Sequence, residues 1–109
     1  MKYPTKLMVQ GYPYALTFVS DPRDVDLSDP DSQMNGLCGD DFIRVSIKQT
    51  PLGVLDTAIH EVLHAIFNRT PMLGAAFRSE KMEEPFITTL ATAVANVLVD
   101  NNLISLEQE

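Results

Sequence analysis

One cysteine, Cys38, and two histidines are found among the 109 residues. A single thiol excludes an internal disulfide and fits a reducing compartment. Basic residues are scarce: eight Lys and Arg stand against fifteen Asp and Glu, a formal charge of −7 and a pI near 4.6. That balance repels phosphate backbones and argues against a nucleic-acid partner. Long apolar runs are missing too. The longest, Ala93 to Val99, is broken by Asn96 and is far too short to cross a bilayer, so no membrane association is expected. No apolar stretch follows the opening Met1-Lys2-Tyr3-Pro4-Thr5-Lys6, which predicts no signal peptide and a cytoplasmic location.

What remains is an ordinary globular composition, 45% hydrophobic and 21% charged. The length suits one small domain, taken as residues 1–109. Tyr14 to Val19 is rich in β-formers and predicts a strand. Ser20 to Asp31 holds five Asp and two Pro and reads as a solvated, turn-rich connector. Asp24, Asp26, Ser28 and Asp31 offer oxygens to calcium, but their spacing misses the EF-hand pattern. Asn35-Gly36 and Gly39-Asp40 are turn signals. Phe42 to Ile47 then alternates, with Ile43, Val45 and Ile47 on a buried face and Arg44 and Ser46 on a solvent-facing one.

Thr50-Pro51 supplies an N-cap and a first helical residue. Leu52, Leu55, Ile59, Val62, Leu63, Ile66 and Phe67 recur at helical spacing until Pro71 forbids continuation. A loop with Gly74 and Ser79 leads to a second helix opening at Pro85, with Phe86, Ile87, Leu90, Val94, Val97 and Leu98 as its apolar stripe. Asp100-Asn101-Asn102 ends it, and a loosely docked tail follows. Two strands followed by two helices predict an α+β fold with a short antiparallel sheet.

Both histidines lie in the first helix, as His60-Glu61-Val62-Leu63-His64. A four-residue spacing puts the two imidazoles one turn apart on one side, where both can reach one metal ion. Glu61, turned about 100° from His60, can face a water on that ion. The histidines fall at the border of the apolar arc, where a zinc ion would sit in a cleft with one position open. A third ligand must be a carboxylate, since no further His exists and Cys38 lies far upstream; Glu80, Glu83 and Glu84 are the candidates. Glu83 lies at the centre of the second helix's apolar arc, whereas Glu84 lies about 100° off it and matches the border position of the histidines. Thr88, four residues on, could hydrogen-bond a ligand. The plainer alternative is a helix N-terminus decorated with carboxylates that favour the macrodipole.

His60-Glu61-Val62-Leu63-His64-Ala65-Ile66 and Glu84-Pro85-Phe86-Ile87-Thr88-Thr89-Leu90-Ala91, with the strand Phe42 to Ile47 upstream, together resemble a compact gluzincin. Its small size resembles metallopeptidase-like proteins encoded by bacteriophages, which would place it in the host cytoplasm. The resemblance implies Zn2+ held by His60, His64 and Glu84, Glu61 as general base, and a peptide or protein substrate. It further implies hydrolysis of peptide bonds by metal-activated water. Two departures stand out. Larger gluzincins carry Asp where Thr88 stands, and they bring a Tyr or His from a further domain to steady the oxyanion. Here that group would come from Tyr12, Tyr14, Arg44, Arg69 or Arg78. The polar side of the Phe42 to Ile47 strand is expected to pair with an extended substrate. The competing expectation is a zinc-binding or interaction module of the same fold without catalysis.

Overall fold

The computed structural model describes residues 4–29, 31–76 and 80–104, the side chains of Gly74 and Glu80 excepted. Its elements are strands β1 (Lys6–Val9), β2 (Tyr12–Val19), β3 (Gly36–Cys38) and β4 (Phe42–Ser46), then helices α1 (Pro51–Arg69), α2 (Pro71–Ala76) and α3 (Glu80–Asp100). The class is α+β, with helices packed against one sheet of order β1-β2-β4-β3. None of the helices, among the described residues, is long and apolar enough to cross a membrane.

The sheet is mixed rather than antiparallel. β1 pairs antiparallel with β2 across a turn at Gln10 and Gly11, both at positive φ, and β3 pairs antiparallel with β4. The two foreseen strands, β2 and β4, run parallel, from Ala15 opposite Phe42 to Val19 opposite Ser46. A parallel pair requires the intervening chain to cross the sheet. The Asp-rich connector takes part in this crossing, which corrects its reading as a purely solvated loop: Val25 is fully buried, and Arg44 donates from Nη1 to its carbonyl at 3.2 Å. The side of β4 expected to face solvent is therefore largely covered. Arg44 lies 4.0 Å over the Phe42 ring, and Ser46 is wholly buried. Ile47, expected on the buried face, lies past the strand end and is exposed. Within the connector, the backbone N–H and hydroxyl of Ser28 both donate to Asp26 Oδ1, closing an Asx turn.

Thr50 caps α1 as expected, its hydroxyl accepting the Gly53 N–H at 3.1 Å, with Pro51 as the first helical residue. Val9, Tyr14, Leu16, Ile43 and Val45 from the sheet enclose the core with Val54 and Ala65 of α1. Each large side chain buried this way contributes about 1.5–3 kcal/mol. α1 packs against α3 as well as the sheet, which is why its apolar residues spread round more than half its circumference.

α3 begins at Glu80, a turn and a half before Pro85, so Pro85 lies inside the helix and Glu84 is not its N-cap. The proline has no N–H for the Lys81 carbonyl, a loss of one bond near the helix start that the remaining turns tolerate. The buried line of α3 is Ile87, Ala91 and Ala95; Phe86 and Val97, expected in the stripe, are 45% and 55% exposed. Small residues let the two helices approach closely, so the contact line narrows and larger residues fall outside it. Thr92 donates to Asp56 at 2.8 Å and pins the register between α1 and α3. The helix closes with a Schellman motif: Asn102 at φ 56 donates to the Val99 carbonyl and Leu103 to that of Leu98. The tail beyond residue 104 lies outside the described residues.

Candidate metal centre

His60 and His64 project from the middle of α1, where the four-residue spacing brings their rings to centroids 4.9 Å apart, tilted by 57°. Their Nε2 atoms are 3.2 Å from each other. Glu84 reaches across from α3 and engages both: Oε1 is 2.8 Å from His60 Nε2 and Oε2 is 2.7 Å from His64 Nε2. Each of the three residues thus offers one ligand atom, all within 4.8 Å of one another.

The donor set suits zinc in kind, two imidazoles and a carboxylate. In spacing, the imidazole pair alone matches it. Two ligands about 2.05 Å from a tetrahedral ion stand about 3.3 Å apart, close to the 3.2 Å between the imidazole nitrogens. Two neutral Nε2 lone pairs facing each other at that distance repel unless a proton or a cation lies between them. The carboxylate–imidazole distances are shorter and need to open by about half an ångström to admit an ion.

Glu83 and Glu84 diverge as adjacent helical residues must. The Glu84 side chain is 51% exposed; that of Glu83 is 19% exposed and lies 3.5 Å from His64 Nδ1. Thr88 is exposed on α3. Of the other sequence candidates, the side chain of Glu80 and all of Arg78 lie outside the described residues.

Glu61 is buried between α1 and Gly36 of β3, in the same cleft as the histidines. Burial raises its carboxyl above the ordinary carboxylate range; His60 and His64 oppose that shift and Glu84 adds to it. Gly36 of β3 comes so close that a Cβ there would meet Thr57 Cγ2 at 2.6 Å and Glu61 Oε2 at 3.0 Å. Only a residue without a side chain lets this edge strand lie against the helix.

The three ligand candidates and Glu61 line a cleft of about 600 Å³, together with Met34, Gly36, Leu37, Cys38, Asn68 and Glu83. Four of the five residues named for the oxyanion do not line it. Tyr14 is buried and accepts from Arg69 Nε at 3.0 Å, while Arg69 Nη2 donates to the Asp40 carbonyl and its guanidinium covers the Tyr12 ring. Arg44 is engaged on the far side of the sheet. Arg69, with Tyr12 and Tyr14, clamps the end of α1 to the sheet and the β3–β4 turn. Asn68 was missed, although it extends the spacing of His60 and His64 by one more turn.

The expectation that the Phe42 strand pairs with substrate fails, because β4 is hydrogen-bonded on both edges, by β2 and by β3. The edge beside the cleft belongs to β3. Leu37 opposes Arg44 between bonded pairs at Asn35–Ser46 and Gly39–Phe42, so the N–H and C=O of Gly36 and Cys38 point away from β4. No protein-family model, curated protein or solved structure matches this chain.

Proposed function

We propose that the chain is a zinc-dependent metallopeptidase of compact gluzincin type, with His60, His64 and Glu84 as metal ligands and Glu61 as general base. The observation that carries this reading is one carboxylate meeting two imidazoles across two helices, with a second, buried carboxylate beside them in an open cleft. When bound, zinc supplies Lewis acidity, polarising a carbonyl and lowering the pKa of a water. Glu61 would take the proton from the attacking water and return it to the leaving amine. An extended peptide lies along the outer edge of β3, where Gly36 and Cys38 offer alternating donors and acceptors. Asn68 offers the side-chain amide N–H that a developing oxyanion requires.

One observation favours the alternative, a zinc-holding or interaction module without catalysis: none of Tyr12, Tyr14, Arg44 and Arg69 reaches the cleft. The Glu61→Gln variant separates the two readings. It is expected to keep one zinc per chain and its fold, and to lose cleavage of unstructured polypeptide by at least a hundredfold, on the order of a general base's contribution. Equal cleavage by variant and wild type removes Glu61 from the chemistry. A zinc-loaded wild type that cleaves nothing favours the module.

A further inference from the structure

The two ring nitrogens of His64 face different carboxylates. Nε2 meets Glu84 Oε2 at 2.7 Å, and Nδ1 faces Glu83 Oε1 at 3.5 Å. We infer that Glu83 is a positioning residue, which accepts a hydrogen bond from His64 Nδ1–H and so holds the ring with Nε2 free for a metal on the Glu84 side; this rests on the zinc reading of the cleft.

The argument begins with the tautomer. A neutral imidazole carries one proton, so Nε2 can act as a ligand only if the proton resides on Nδ1, and an acceptor opposite Nδ1 selects that form. Glu83 is the acceptor that α3 supplies, at the outer limit of hydrogen-bond distance. The cost of its position points the same way. Glu83 begins the line continued by Ile87 and Ala91, and a carboxylate largely withdrawn from water there needs a proton donor to offset desolvation. Adjacent helical residues point about 100° apart, so Glu83 and Glu84 cannot readily reach one ion, yet they can address the two nitrogens of a single ring. Thr88, the polar residue one turn after Glu84, is exposed and leaves Glu83 to face Nδ1.

The test measures zinc affinity by chelator competition in wild type, Glu83→Ala, Glu83→Gln, Glu83→Asp and Glu84→Ala, with fold checked by circular dichroism. Nitrogen NMR of the His64 ring is read alongside. Glu83→Ala is expected to keep one zinc per chain while its affinity falls 10–100-fold. Glu83→Gln, still able to accept a hydrogen bond, is expected to fall between it and wild type, and Glu83→Asp to regain part of the loss. Wild type is expected to show the His64 proton on Nδ1 in a hydrogen-bonded environment that the Ala variant lacks. Glu84→Ala is expected to lose stoichiometric zinc. Unchanged affinity and an unchanged His64 signal in Glu83→Ala overturn the inference and leave the metal site standing. Loss of stoichiometric zinc in Glu83→Ala with retention in Glu84→Ala overturns it by making Glu83 the ligand. A wild type that binds no zinc overturns the metal reading, and the inference with it.

Discussion

Cys38 lies in the same cleft as Glu61, and their proximity has a chemical consequence. Burial pushes the thiol up from 9.0 to about 11, with Glu61 adding to the shift and Arg69 opposing it. A folded pKa above the unfolded one contributes stability that is present below pH 9 and is lost as pH rises toward 11. Near pH 8 the folded thiol should therefore hold about a hundredfold less thiolate than a free cysteine, and react with iodoacetamide correspondingly slowly. Alkylation rates in native buffer and in denaturant check this; equal rates would show the thiol to be open and unshifted. At this scale the sequence was unevenly legible. His60, Glu61 and His64 announce themselves through spacing, and Glu84 through the helical arc. Asn35-Gly36 reads as a turn yet Gly36 opens β3, and Cys38 carries no pattern, because what places them in the cleft is strand pairing with β4, which leaves no mark on the residues themselves.

Among the elements, β3 is the least visible and among the most consequential. Its three residues, Gly36, Leu37 and Cys38, are too few to show alternation and begin with a strand-breaking glycine. β1 escapes notice for the same reason of brevity, whereas β2, β4 and α1 display their periods openly. The parallel pairing of β2 with β4 is likewise unwritten in either strand, since it depends on a connector whose one fully buried residue, Val25, sits among aspartates. The start of α3 was misplaced because Pro85 has the character of a first helical residue but stands inside the helix. The closeness of β3 to α1 yields a test. In Gly36→Ala the added methyl would press on Thr57 and Glu61, which should destabilise the protein by about 1–3 kcal/mol and displace Glu61, the proposed general base. Denaturant melts measure the first effect and assays of the proposed peptidase activity the second. A variant as stable as wild type would show that β3 yields to the methyl at no cost.

At the scale of the molecule, the sheet and α1 share one core, while α3 packs mainly on α1, through Ile87, Ala91 and Ala95 with the Thr92–Asp56 bond. The proposed ligands bridge that seam, two from α1 and one from α3. Zinc would therefore act as a clasp between layers more than as a support for the sheet. At a free concentration a hundredfold above its Kd it would add about 2.7 kcal/mol to folding. For a domain of this size that corresponds to a rise of at least about 10 °C in Tm. Stripping the metal with a chelator should lower Tm by that order, and His60→Ala should show the lower Tm with or without zinc. The location of the loss is the sharper reading. Hydrogen exchange should quicken along residues 84–100 on chelation, since α3 would lose a tie to α1, while β2 and β4 keep their protection. Uniform quickening over sheet and helices would show one cooperative unit with the metal at its centre. No change in exchange or Tm on chelation would remove zinc from the folded structure, and with it the reason for three ligand-type side chains to converge on one point.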